Sequence, residues 1–270
     1  MTRMHGAALT AIAMAMSGAA HAADPVTVKV YSAGSLGAVI GALNDQAADA
    51  IGVQMDATFG GSGTLRQKIE AGDKPDLLLS ADMASPQKLV DEKLTQGPAR
   101  PFAGNRMCFV AAKALGLSAD NLVDKLLDPA VKIQTSEPVA DPAGDYAYAM
   151  FDKMEAGHPG AAKTLKAKAD ATRAAVAGAK APPGMNLTAS LFASHQIDVT
   201  VVYCTGTRTL ERASPDLVST AAPPELDPHP VYGLVVLSAN PAAKKMADYI
   251  LSDDGQGAVA SAGFLPARLP

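Results

Sequence analysis

Tryptophan is missing from this 270-residue chain, and aromatic residues make up only 4 % of it. No run of lysine and arginine occurs, and the formal net charge is −4. Nucleic acids and anionic membrane surfaces are held through clustered basic side chains, so neither is an expected partner. After the N-terminal segment, no apolar run is long enough to span a bilayer. The five histidines are His5, His21, His158, His195 and His229, and they show no metal-ligand spacing. Neither a resident metal nor a cofactor is expected. Cysteine is limited to Cys108 and Cys204, each in a strand-like run, MCFVAA and VTVVYC. Two readings stay open for the pair: one disulfide, or two separate buried thiols of the kind found in ordinary cores.

What is present begins with an export signal. Arg3 supplies a positive start, residues 7–16 form a short apolar core, and Ala20-His21-Ala22 has the small-x-small form of a signal-peptidase site. Cleavage is expected after Ala22, which leaves a soluble, exported chain of about 250 residues, enough for one large domain or two modest lobes.

Apolar runs then alternate with helical patterns. Strands are expected at 26–31, 53–59, 76–80, 106–112, 131–135, 199–203 and 231–237. Between the first two, Leu36, Val39, Ile40, Leu43, Ala47 and Ile51 recur at helical spacing. This alternation predicts an α/β architecture with mostly parallel sheets. Two turn-rich breaks, GPARPFAGN at 97–105 and AAPPELDPHP at 221–230, are read as places where the chain crosses between two lobes.

The stretch FGGSGTLRQKI, 59–69, is the most distinctive local feature. Three glycines surround a hydroxyl at a strand-to-helix turn, the plan of a phosphate loop, yet Arg66 and Lys68 come only once the helix is under way. YSAGSLGAV places Ser35 at a similar turn after the first strand. Taken singly, Ser35 and Ser62 read best as helix caps. Taken together, they stand after neighbouring strands of a parallel sheet, whose turns open at the same edge. Two helix N-termini there offer unpaired N–H groups and a positive dipole end, which suit an anion held without any cation. In the second half, DPAGDYA (141–147) and PPGMNLTA (182–189) are further helix starts, and Tyr203 ends a strand with a phenol that is a donor at neutral pH.

Rival chemistries have thinner support. AGSLG at 33–37 mimics a nucleophile elbow with alanine in place of the first glycine, and His229 would have to serve as its base. Tyr146, Tyr148 and the other tyrosines leave room for a ferric-ion site, but carboxylates at metal-ligand spacing are missing. Asp82 in SADMASP reads as a helix cap.

Four segments together resemble the periplasmic molybdate-binding family, the solute-binding proteins of ABC importers. They are SAGSL, FGGSGTLRQKIEAGDKPDLLLSAD, DPAGDYA and the ending VYGLVVLSAN…ADYILSDDGQGAVASAGF, and they run over nearly the whole mature chain. The resemblance implies a type II two-lobed binding-protein fold with two interlobe crossings. Residues 1–22 would be the signal peptide, 23–102 and 230–270 the first lobe, and 103–229 the second. It implies binding without reaction: Ser35 and Ser62 would donate from the first lobe. Backbone N–H groups at Ala143 and at Met185 or Asn186, with the Tyr203 hydroxyl, would donate from the second. Molybdate and tungstate would both fit, whereas sulfate is smaller and would leave donors unpaired. With no acceptor expected in the site, a protonated oxyanion such as hydrogen phosphate would be disfavoured. The implied partners are a small oxyanion and the membrane subunits of a permease, the implied location is the periplasm, and the implied state is a monomer.

Overall fold

The computed structural model describes residues 24–267. The expected signal peptide, residues 1–22, lies outside the described residues. Nine strands follow in chain order: β1 Val26–Ala33, β2 Val53–Gly60, β3 Leu77–Ser80, β4 Arg100–Gly104, β5 Met107–Ala112, β6 Ile133–Gln134, β7 Val199–Tyr203, β8 Leu217–Ala221 and β9 Val231–Val236. Three helices alternate with the first strands, α1 Gly37–Ile51, α2 Ser62–Glu70 and α3 Ala84–Asp91. Five more accompany the middle of the chain: α4 Leu122–Leu127, α5 Pro142–Met154, α6 Ala161–Ala175, α7 Leu187–Ala193 and α8 Thr207–Ala213. The last two, α9 Pro241–Leu251 and α10 Asp253–Ser261, follow β9.

These strands make two sheets, one ordered β2-β1-β3-β9-β4 and the other β6-β7-β5-β8. The first strands obey their sequence pattern. In β1, exposed Thr27 and Lys29 alternate with buried Val28 and Val30, as a strand's two-residue period requires. Leu77, Leu78 and Leu79 of β3 are all fully buried, because helices cover both faces of that sheet there. Helix α1 turns Val39, Ile40, Leu43 and Ala47 into the core and stops at Gly52, whose left-handed φ of 63° suits a glycine C-cap.

The α/β architecture is as expected, but strand directions are more mixed. β1 runs parallel to β2 and β3, whereas β9 is antiparallel to β3 and β4. In the second sheet only β6 and β7 are parallel; β5 pairs antiparallel with β7 and β8. The mostly parallel expectation is therefore corrected, above all for the second sheet. The break at 97–105 contains the edge strand β4, where Pro101 is tolerated because it sits on the edge and at a register shift. β8 was not anticipated, and the 131–135 run shrinks to the two residues of β6, which pairs with β7 alone.

The chain passes from the first sheet to the second between β4 and β5 and returns between β8 and β9. These two crossings lie side by side. The Asn105 N–H donates to the Pro230 carbonyl at 2.9 Å, and Arg106 Nε meets the fully buried Asp227 Oδ2 at 3.3 Å. Cys108 and Cys204 form a disulfide with their Cα atoms 5.0 Å apart, tying β5 to the residue that follows β7.

Candidate functional site

Between the two sheets lies a cleft of about 240 Å³. From the first sheet it is lined by the C-terminal ends of three neighbouring strands: Ala33, Gly34 and Ser35 after β1, Gly60 at the end of β2, and Ala81 just past β3. Facing them are Ser136, Asp141 and Ala143 around the start of α5, and Val201, Val202 and Tyr203 at the end of β7. Strand ends and helix starts thus converge on one space, the usual ligand position in open α/β sheets. Among the described residues, no lysine or arginine lines it.

Ser35 is not a cap. Its turn opens a single 3-10 turn, Gly34–Leu36, without a side-chain cap, and its Oγ lies 2.9 Å from the Tyr232 hydroxyl. Tyr232 also accepts from Asn105 Nδ2 at 3.2 Å, and the same amide nitrogen reaches Thr205 Oγ1 at 3.0 Å. A phenol that accepts from Asn105 can give its own proton to Ser35, an arrangement that frees the serine proton for the cleft. Burial, the largest influence, pushes the Tyr232 phenol's pKa well up and keeps it a neutral donor.

Tyr203 is the most telling group. Its ring is 6 % exposed, packed edge-on to Tyr146 at 6.3 Å and tilted against Tyr232 at 5.5 Å. Its hydroxyl is buried and has no hydrogen-bond partner among the described residues. Burial first, and then the neighbouring Tyr232, Asp141, Tyr146 and Asp82, raise its pKa far above that of a free phenol. The hydroxyl therefore remains a proton donor throughout the neutral range.

Other sequence expectations land differently. Ser62 is fully buried and does not line the cleft; its Oγ accepts the Ala81 N–H at 3.0 Å and so fixes a residue that does. Ala143 lines the cleft, but its N–H is already donated to Asp141 Oδ1 at 3.1 Å. Met185 is 49 % exposed, and Asn186 caps α7 by accepting the Ala189 N–H at 3.1 Å. Neither reaches the cleft, because α7 spends its apolar face on Ile197, Leu210 and Val110 and thereby begins at the surface. Ser136, the Asp141 carboxylate and Tyr232 were missed. A cap signal is legible in Asp141-Pro142, but not that the cap faces a cleft. The expectation of a site without an acceptor is also corrected, since Asp141 supplies one.

The glycines of FGGSG have a different task from a phosphate loop's. A β-carbon on Gly61 would lie 2.4 Å from the Ala140 carbonyl oxygen, and one on Gly63 would lie 1.7 Å from that of Val139. The loop leading into α5 packs against them, and the Ala140 carbonyl accepts the Thr64 N–H at 3.1 Å. The helix N-terminus is thus partly satisfied by backbone from across the cleft. Val139 takes a left-handed φ of 68°, an uncommon conformation for a β-branched residue.

A second, wider cavity of about 1060 Å³ adjoins the first: Ala81 and Asp141 line one, and the following residues Asp82 and Pro142 line the other. It holds Asp145, Tyr146 and His229. Asp82 accepts the Ser85 N–H at 2.8 Å, the capping role expected of it. His229 faces this cavity and is not a partner of Ser35, so a serine–histidine pair is not formed among the described residues. No group of three or more His, Cys, Asp or Glu side chains is placed to hold a metal among the described residues.

Residues 28–265 match the family model of bacterial extracellular solute-binding proteins. The chain belongs to that family. This solute-binding protein is 32 % identical over 218 residues to the uncharacterized protein PM1146 of Pasteurella multocida, covering 80 % of this chain and 89 % of that one. It is 31 % identical over 153 residues to the molybdate-binding protein ModA of Escherichia coli, covering 54 % of this chain and 58 % of ModA. Its fold matches the periplasmic molybdate-binding protein of Azotobacter vinelandii with a TM-score of 0.67 at 19 % identity, over 90 % of this chain and 99 % of that one.

Proposed function

We propose that this solute-binding protein captures a small oxyanion in the cleft between its two sheets and delivers it to an ABC permease. Molybdate is the ligand to which its molybdate-binding relatives point, and tungstate, of the same charge and nearly the same size, would fit equally. The observation that carries the reading is the Tyr203 hydroxyl, buried in the cleft wall with no partner among the described residues. Leaving a buried donor unpaired costs about 1–3 kcal/mol, a cost removed when a ligand oxygen accepts it. Ser35, whose hydroxyl lies 2.9 Å from that of Tyr232, adds a second neutral donor on the same cleft. Val139–Asp141 closes over the ligand from the second lobe.

Function on this reading is binding, closure and release, without a chemical step. Closure is a rigid-body motion at the two crossings, driven by contacts made to both lobes at once. A periplasmic location agrees with the Cys108–Cys204 disulfide, which an oxidising compartment maintains. No ligand contact is proposed for Met185 or Asn186.

Isothermal titration calorimetry of the purified protein with molybdate, tungstate and sulfate tests the reading. One-to-one binding is expected for the first two, with sulfate weaker. Silence from all three in folded protein would overturn it.

A further inference from the structure

The cleft contains a charge that an anion site does not need. Asp141 lines it, and no lysine or arginine among the described residues lines it to offset the carboxylate. Its Oδ1 accepts the Ala143 N–H at 3.1 Å, which fixes the side chain at the mouth of α5. Oδ2 takes no hydrogen bond from the described residues. The titratable groups around it are Tyr203 on β7, Tyr232 on β9, Tyr146 and Asp145 on α5, and Asp82 just past β3. The three phenols stay protonated and the other two groups are acids, so no neighbour among the described residues neutralises Asp141.

We infer that Asp141 makes oxyanion capture proton-linked, with one proton held between a ligand oxygen and Asp141 Oδ2. This rests on the oxyanion reading of the cleft and adds a selection rule to it. A fully ionised dianion and a carboxylate repel each other at contact distance, and one bridging proton turns that contact into a hydrogen bond. Molybdate, tungstate and sulfate carry no proton at neutral pH, so the bridging proton is taken from solvent as they bind. Hydrogen phosphate brings its own and binds without uptake. The same carboxylate thus penalises the first group as pH rises and admits the second. The donors Tyr203 and Ser35 serve either ligand; only Asp141 distinguishes them.

The test is calorimetry of the whole protein with sodium molybdate and with inorganic phosphate, in two buffers of different ionisation enthalpy, repeated on Asp141→Asn. Asparagine retains an oxygen for the Ala143 N–H and caps a helix as well as aspartate, so folding is preserved. For the wild type, molybdate binding is expected to take up about one proton and to weaken roughly tenfold per unit between about pH 6 and about pH 8. Asp141→Asn should bind molybdate without uptake, more tightly than wild type at the upper pH, and should lose discrimination in favour of phosphate. Molybdate binding by the wild type with no proton uptake, unchanged in Asp141→Asn, would overturn the inference while leaving the oxyanion reading intact. Failure of both proteins to bind either anion at any pH would overturn both.

Discussion

Gly63 and Val139 approach so closely that a β-carbon on the glycine would lie 1.7 Å from the valine carbonyl oxygen. One residue belongs to the helix start after β2 and the other to the loop before α5, so this contact spans the cleft. The glycine there is a requirement of the interface between the lobes.

Gly63→Ala is expected to hold the lobes apart. Oxyanion affinity should fall by more than about tenfold, while melting of the unliganded protein changes little because hinge opening relieves the clash. Gly41→Ala is the control: an added β-carbon at this exposed position in α1 meets nothing within 4 Å, and alanine favours the helix. Calorimetry of both variants, with small-angle scattering to follow opening, decides the matter. Unchanged affinity in Gly63→Ala would remove the contact from the mechanism.

Tyr203→Phe separates a binding role from a structural one. Without a partner, the hydroxyl stabilises nothing in the unliganded state, so its removal should leave the melting temperature equal or higher. A hydrogen bond to a charged ligand contributes about 1.5–3 kcal/mol, so affinity should fall by roughly ten- to a hundredfold. A variant that melts earlier yet binds normally would show the phenol to be a packing element.

The disulfide bridges 96 residues of sequence and secures the strand end that carries Tyr203. Replacing both cysteines with serine is expected to cost about 2–5 kcal/mol of stability, read as a lower denaturation midpoint in guanidinium. Because β5 and β7 remain paired along five residues, the variant should still fold.

Asp145 offers a pH signature. Burial above all, then the charges of Asp82 and Asp141, raise its pKa from the usual 3.8, against a lowering bond from the Val139 N–H. The folded state therefore holds this proton to higher pH than the unfolded chain, and stability from this group falls as pH rises through that interval. Asp145→Asn keeps an oxygen for the Val139 N–H, donated at 2.9 Å, and removes the charge. It should melt higher than wild type at neutral pH, with the difference closing as pH falls below the ordinary carboxylate range. A constant difference at all pH values would contradict this linkage.

Much of the architecture was present in the order of residues. The two-residue alternation of β1, the buried leucines of β3 and the helical spacing in α1 are local patterns, and local sterics and burial turn them directly into strands and helices. The identity of Tyr203 as a neutral donor at a strand end was legible for the same reason. Strand direction was not, because β9 and β4 join β3 only after the chain has left for the second sheet and returned. The partners of side chains were likewise settled by the fold. Ser35 meets Tyr232 across 197 positions, Ser62 meets Ala81 instead of its own helix, and Asp141 caps α5 while facing the cleft. Sequence determined which groups can donate and accept; tertiary packing decided which are already paired, and it is the packing of Tyr146 and Tyr232 around Tyr203 that accompanies a buried hydroxyl without a partner among the described residues.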